Sequence, residues 1–121
     1  MKFKFLAIIF FAFTCFSSFG QKLKDGTYTF SIRDFEYENA PIVAKCKVVI
    51  KGDSIKVIYT DSTLTLIKYG DVFDEGILIK HRKTKQWIIA HSMKDMNAKE
   101  VGACSGGPMV IDLKKKEIWY C

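Results

Sequence analysis

The sequence predicts an all-β protein: a single small antiparallel barrel or sandwich of about eight strands, with at most one short helix. Three observations predict it. Apolar and polar residues alternate over run after run downstream of residue 26. Clusters of Gly, Asn, Asp and Pro divide those runs at close intervals. Only Ser92 to Ala103 lacks the alternation and reads as helical, with Ser92 as N-cap and Asp95 three residues on.

The first strand is Gly26 to Tyr37: Tyr28, Phe30 and Ile32 share a face, and the phase breaks at Asp34, where a bulge is expected. Glu38-Asn39-Ala40-Pro41 is a turn. Val43 to Lys51 places Ala44, Cys46, Val48 and Ile50 on one face and lysines on the other. Gly52-Asp53 then closes a hairpin onto Ser54 to Thr60. Leu64 to Tyr69 reads as a further strand and Gly70 to Gly76 as an acidic loop. Ile77 to His81 and Gln86 to His91 flank the basic tip Arg82-Lys83-Thr84-Lys85. Met109 to Leu113 and Glu117 to Cys121 flank Lys114-Lys115-Lys116. Connections this short make neighbours antiparallel, and a meander of short hairpins hides its edges best by closing, which favours the barrel.

Residues 1–20 have the layout of a secretory signal peptide: Lys2 and Lys4, an apolar run from Phe5 to Phe13, then Ser18-Phe19-Gly20 before Gln21. Cleavage after Gly20 leaves residues 21–121 as one domain in the periplasm or secreted space. Cys15 is the alternative processing site of a lipoprotein, but Ala12-Phe13-Thr14 lack the Leu-like and very small residues which that signal places before its cysteine. The apolar run falls short of the roughly 20 residues a spanning helix needs, so no membrane span is expected. Losing Lys2 and Lys4 lowers the formal charge of +6 to +4, a mild excess that names no partner. Cys46, Cys104 and Cys121 remain. In an oxidising space they imply one disulfide and one thiol, with Cys104–Cys121 favoured across the last hairpin and Cys46 as the alternative partner.

Gly102-Ala103-Cys104-Ser105-Gly106-Gly107-Pro108 is similar to the nucleophile loop of trypsin-like serine proteases, and Trp87-Ile88-Ile89-Ala90-His91 to their histidine segment. The resemblance implies Ser105 as nucleophile and His91 as base. Against it, that fold needs two barrels and a distant buried Asp, whereas the acids in view here are Asp95 and Glu100. His81 and His91 end opposite strands of one hairpin, roughly 16 Å apart along the ladder, too far to share a metal. No metal set or cofactor motif is found. Arg82, Lys83 and Lys85, with Lys114, Lys115 and Lys116, form two basic tips. They are candidates for an anion patch, or simply soluble turns; no aromatic residues interleave with them as nucleic-acid stacking would need.

Lys24-Asp25-Gly26-Thr27-Tyr28, Cys46 to Gly52, Gly102 to Pro108 and Trp119-Tyr120-Cys121, together with the leader, resemble small uncharacterised exported proteins of the Bacteroidota. That resemblance implies compartment and fold type and transfers no activity. The function expected is a non-enzymatic binding or interaction module, whose partner is an envelope protein, a glycan or a small apolar ligand. A small serine hydrolase using Ser105 and a carrier with a cavity inside the barrel are the alternatives.

Overall fold

A computed structural model describes residues 21–36 and 38–121. Residues 1–20, read above as a signal peptide, with Cys15 among them, and Tyr37 lie outside the described residues. Among the described residues seven strands are present: β1 (Gly26–Asp34), β2 (Ile42–Lys51), β3 (Ser54–Tyr59), β4 (Val72–Lys80), β5 (Trp87–Ala90), β6 (Met109–Asp112) and β7 (Glu117–Tyr120). They form a closed barrel in sequence order. The all-β barrel is thus the observed architecture.

Successive strands are antiparallel, so an odd number of them brings the first and last together pointing the same way. β1 and β7 accordingly close the barrel in parallel, from Ser31 opposite Glu117 to Asp34 opposite Tyr120. The Ser31 amide donates to the Lys116 carbonyl at 3.0 Å and the Phe35 amide to the Tyr120 carbonyl at 2.9 Å. Arg33 and Glu117 form an ion pair across this seam, and Arg33 Nη1 also donates to the Ala40 carbonyl at 2.9 Å.

The inward faces fill the barrel. Phe30, Ile32, Val48, Val57, Tyr59, Ile89 and Ile118 are all buried in one cluster, and side-chain packing of this density is what a small barrel interior holds. A second cluster lies outside the wall, where Ile88, Ala90 and Val110 are covered by Val101 and Trp119. The long β5–β6 connection therefore buries β5 on both faces.

Three elements differ from expectation. Leu64 to Tyr69 is irregular and is not a strand. Side chains take two of its amides: the Leu64 amide donates to Tyr59 Oη at 2.8 Å and the Lys68 amide to Asp71 Oδ2 at 3.0 Å. The acidic stretch read as a loop is instead the start of β4, where Val57 pairs with Asp74 and Ile55 with Gly76. Pairing partners outweigh the weak strand preference of Asp, Glu and Gly. The helical candidate gives only two 3₁₀ turns, Met93–Asn97 and Ala103–Ser105, and Ser92 makes no side-chain cap. Its carbonyls are used elsewhere: Met96 O accepts from the Arg82 amide at 3.0 Å and Ala98 O from His81 Nε2 at 2.6 Å. A continuing helix would have to break both bonds. The bulge expected at Asp34 on the first strand is found instead on β2: as β1 passes from Ile32 to Arg33 its partner passes from Ala44 to Ile42, which makes Val43 the extra residue, and Asp34 continues the buried alternation of Phe30 and Ile32.

Gly76 sits mid-strand because β4 and β5 approach closely there. A Cβ at this position would lie 2.1 Å from the Ala90 carbonyl oxygen and 3.4 Å from His91 Cδ2. At Gly52, with φ +59°, a Cβ would meet nothing within 4 Å. Gly76→Ala should therefore cost about 2–3 kcal/mol from overpacking against backbone, and Gly52→Ala only about 1 kcal/mol from its left-handed conformation. Urea unfolding of both variants checks the order; equal costs would contradict the close approach.

Candidate functional site

The β1–β2, β3–β4 and β5–β6 connections all leave the same end of the barrel, because alternate turns of a meander share an end. Tyr59 organises this end. It is fully buried, its amide donates to the Asp71 carbonyl at 2.9 Å, and its carbonyl accepts from the Gly70 amide at 2.7 Å. Its hydroxyl holds the Leu64 amide, while Thr63 Oγ1 donates to the Val43 carbonyl. Residues 60–71 are thus fastened at both ends. Leu64 and Ile67 pack onto the core, whereas Leu66 is fully exposed and Tyr69 and Val72 are largely so.

Two adjoining depressions mark this end. One, of about 300 Å³, runs between Leu64, Leu66 and Ile67 and a floor of Phe73, Met109 and Tyr120. Phe73 and Tyr120 meet with ring centroids 5.3 Å apart. The other, of about 400 Å³, shares Phe73 and Met109 and is walled by Asp74, His91, Asp95 and the Gly106-Gly107-Pro108 bend. That bend is set by close packing: a Cβ at Gly107 would lie 2.2 Å from the Glu100 carbonyl oxygen, and the Gly102 amide donates to Pro108 O at 2.7 Å. Cys104, in the second 3₁₀ turn, is disulfide-bonded to Cys121 just past β7, with Cα atoms 5.1 Å apart. Among the described residues Cys46 is the free cysteine, and it is buried, so the alternative pairing is not the one formed. Burial pushes its thiol up to about 12, which makes it an inert core residue.

His91 Nε2 lies 2.8 Å from Asp74 Oδ1, and the His91 amide donates to Asp95 Oδ2 at 2.9 Å. The hydrogen bond to Asp74, then its charge, with a smaller contribution from Asp95, hold the imidazole above its usual range. Asp74 was not identified from sequence as the partner of His91, because Gly70 to Gly76 read as a loop. Extending the β4–β5 pairing backward from Ile77 opposite Ala90 places Asp74 diagonally across from His91, within reach of a cross-strand pair.

A Ser-His-Asp triad does not result. Its carboxylate holds Nδ1 and its Nε2 faces the nucleophile; here Asp74 takes Nε2. Ser105 Oγ donates to the Gly102 carbonyl at 2.8 Å and to Val101 O at 3.2 Å, and Ser105 is not in the wall of the His91 depression. His81 is a buried structural residue: Nδ1 accepts from the Thr84 amide at 3.3 Å while Nε2 faces Ala98 O. Among the described residues no three His, Cys, Asp or Glu side chains converge to hold a metal, and no helix is long and apolar enough to cross a membrane. The basic tips lie at the opposite end of the barrel. No protein-family model, curated protein or solved structure matches the chain.

Because the folded pKa of His91 is raised, its pairing stabilises the fold below the unfolded pKa, and that contribution is lost as pH rises through the folded value. The side chain is 68% exposed, so salt weakens the effect. An NMR titration should place the His91 midpoint above the usual value of about 6.5. Asp74→Asn should lower it, and Asp95→Asn should lower it less. A midpoint unmoved by Asp74→Asn would contradict the pairing.

Proposed function

We propose that the protein is an exported, non-enzymatic binding module of the periplasm or secreted space, and that its loop-bearing end docks a protein of the envelope. The observation that carries this reading is Leu66, fully exposed beside Tyr69 and Val72 on a segment whose base is fastened to Tyr59. Exposed apolar side chains on a well-anchored loop mark interaction surfaces, since a flexible loop would lose more entropy on docking. The neighbouring groove, with its floor of Phe73, Met109 and Tyr120, suits an apolar side chain of a partner. The filled barrel interior supports a surface contact over a small apolar ligand held within. The geometry at Ser105, whose hydroxyl is turned to main-chain carbonyls, supports binding over hydrolysis.

A photo-crosslinking residue placed at Leu66 in exporting cells should give one discrete protein adduct. Tyr69→Ser should weaken that adduct, and the same probe at Lys47, on the barrel wall, should give none. No adduct at Leu66, or equal adducts at both positions, would overturn the docking surface. Labelling of Ser105 by a fluorophosphonate would overturn the non-enzymatic reading. The intact mass of the exported protein should correspond to a chain beginning at Gln21 and lacking one pair of thiol hydrogens; a chain still beginning at Met1 would contradict export.

A further inference from the structure

The end of the barrel opposite the loops carries a separate feature, independent of the docking reading. The β4–β5 and β6–β7 connections both emerge here, which brings Arg82, Lys83 and Lys85 to the same end as Lys114, Lys115 and Lys116. Their positions in sequence do not show this. The descending limb of the β5–β6 connection adds Lys99. Arg82, Lys83 and Lys99 line a cup of about 470 Å³ with Asn97 and Ala98, over the buried His81, and no carboxylate lines it. Among the described residues none of these seven cations is ion-paired; the salt bridges there are Lys22–Asp53, Arg33–Glu117, Lys56–Glu75 and His91–Asp74.

The cup is also fixed in shape. The Arg82 amide donates to Met96 O at 3.0 Å and the Lys85 amide to His81 O at 2.9 Å. His81 joins the two walls, with Nδ1 3.0 Å from Thr84 Oγ1 and Nε2 2.6 Å from Ala98 O. Arg82 Nη2 rests 3.7 Å from Met96 Sδ, which orients the guanidinium. A charged fork, two ammonium groups and a side-chain amide around one concavity match the several oxygens of a phosphate group.

We propose that this cup binds a phosphate ester, with Arg82, Lys83 and Lys99 as its ligands and the Lys114–Lys116 tip supplying long-range attraction. The phosphate is either soluble or carried on a lipid headgroup. The test is a titration of the isotopically labelled protein with pyrophosphate, and separately with vesicles of phosphatidylglycerol in phosphatidylcholine. Amide shifts are followed at Arg82–Lys85 and Asn97–Lys99.

Saturable shifts confined to these two segments, weakening as salt is raised, are expected. A response to pyrophosphate supports a soluble ligand, and a response to vesicles alone supports a lipid-borne one. Arg82→Glu and Lys99→Glu should each weaken binding about fivefold or more, and Lys47→Glu should leave it unchanged. All three positions are exposed, so folding is retained and is checked by the unshifted amides of β2 and β3. No response to either probe overturns the proposal. So do shifts spread over every lysine, or a Lys115→Glu loss as large as that of Arg82→Glu, because the anion would then be held by diffuse charge and not by the cup.

Discussion

The parallel seam between β1 and β7 is the constraint on which the rest of the structure depends. Without it the meander is an open sheet with two edges, and its inward face of Phe30, Val57 and Tyr59 would have no opposing wall. The seam is short, four residue pairs, and parallel pairing is slightly weaker per residue than antiparallel. Side chains reinforce it. The Arg33–Glu117 pair crosses it where both partners are partly shielded from water, and the Cys104–Cys121 bond fixes the strand just beyond Tyr120. Closing a loop with a sequence separation of 17 is worth about 3 kcal/mol in the chain-entropy account. In a domain whose whole stability is of the order of 5–15 kcal/mol, that is a large share.

Closure also sorts the chemistry. Once the strands run up and down around a core of packed side chains, every connection is assigned to one of two ends. The three long connections go to one end and the tight basic tips to the other. The disulfide belongs to the loop-bearing end, so the covalent link that secures the seam also holds the Gly106-Gly107-Pro108 bend beside His91. Stability of the fold and the shape of that surface are therefore coupled through one bond. The basic end relies instead on hydrogen bonds from His81 and the Arg82 amide.

The fold was largely legible because its strands are half-buried and alternate cleanly. Val43 to Lys51 shows it best, with Cys46, Val48 and Ile50 buried and Lys45 and Lys47 exposed. The pairing of Cys104 with Cys121 was also within reach, since the last hairpin carries Cys121 back past Pro108. Other features were not legible. Val72 to Gly76 becomes a strand only because β3 offers it partners, and that long-range effect leaves no local mark. Asp74 was lost with it, and so was the His91 pair. Leu64 to Ile67 misled in the other direction: Leu64 and Ile67 pack onto the core from an irregular clasp, and the Leu64 amide bonds to Tyr59 Oη and not to a neighbouring strand. The shared end of the two basic tips, and the arrival of Lys99 beside Arg82, are consequences of topology, which no local pattern encodes.

Closure itself is tested most directly by native-state amide hydrogen exchange at the seam. The Ser31 and Phe35 amides, which bond to Lys116 O and Tyr120 O, should be protected to a degree comparable with the central amides of β2 and β3. They should lose that protection preferentially when the disulfide is reduced. Exchange of Ser31 and Phe35 at the rate of free amides, while β2 and β3 remain protected, would mean an open sheet and would contradict the barrel.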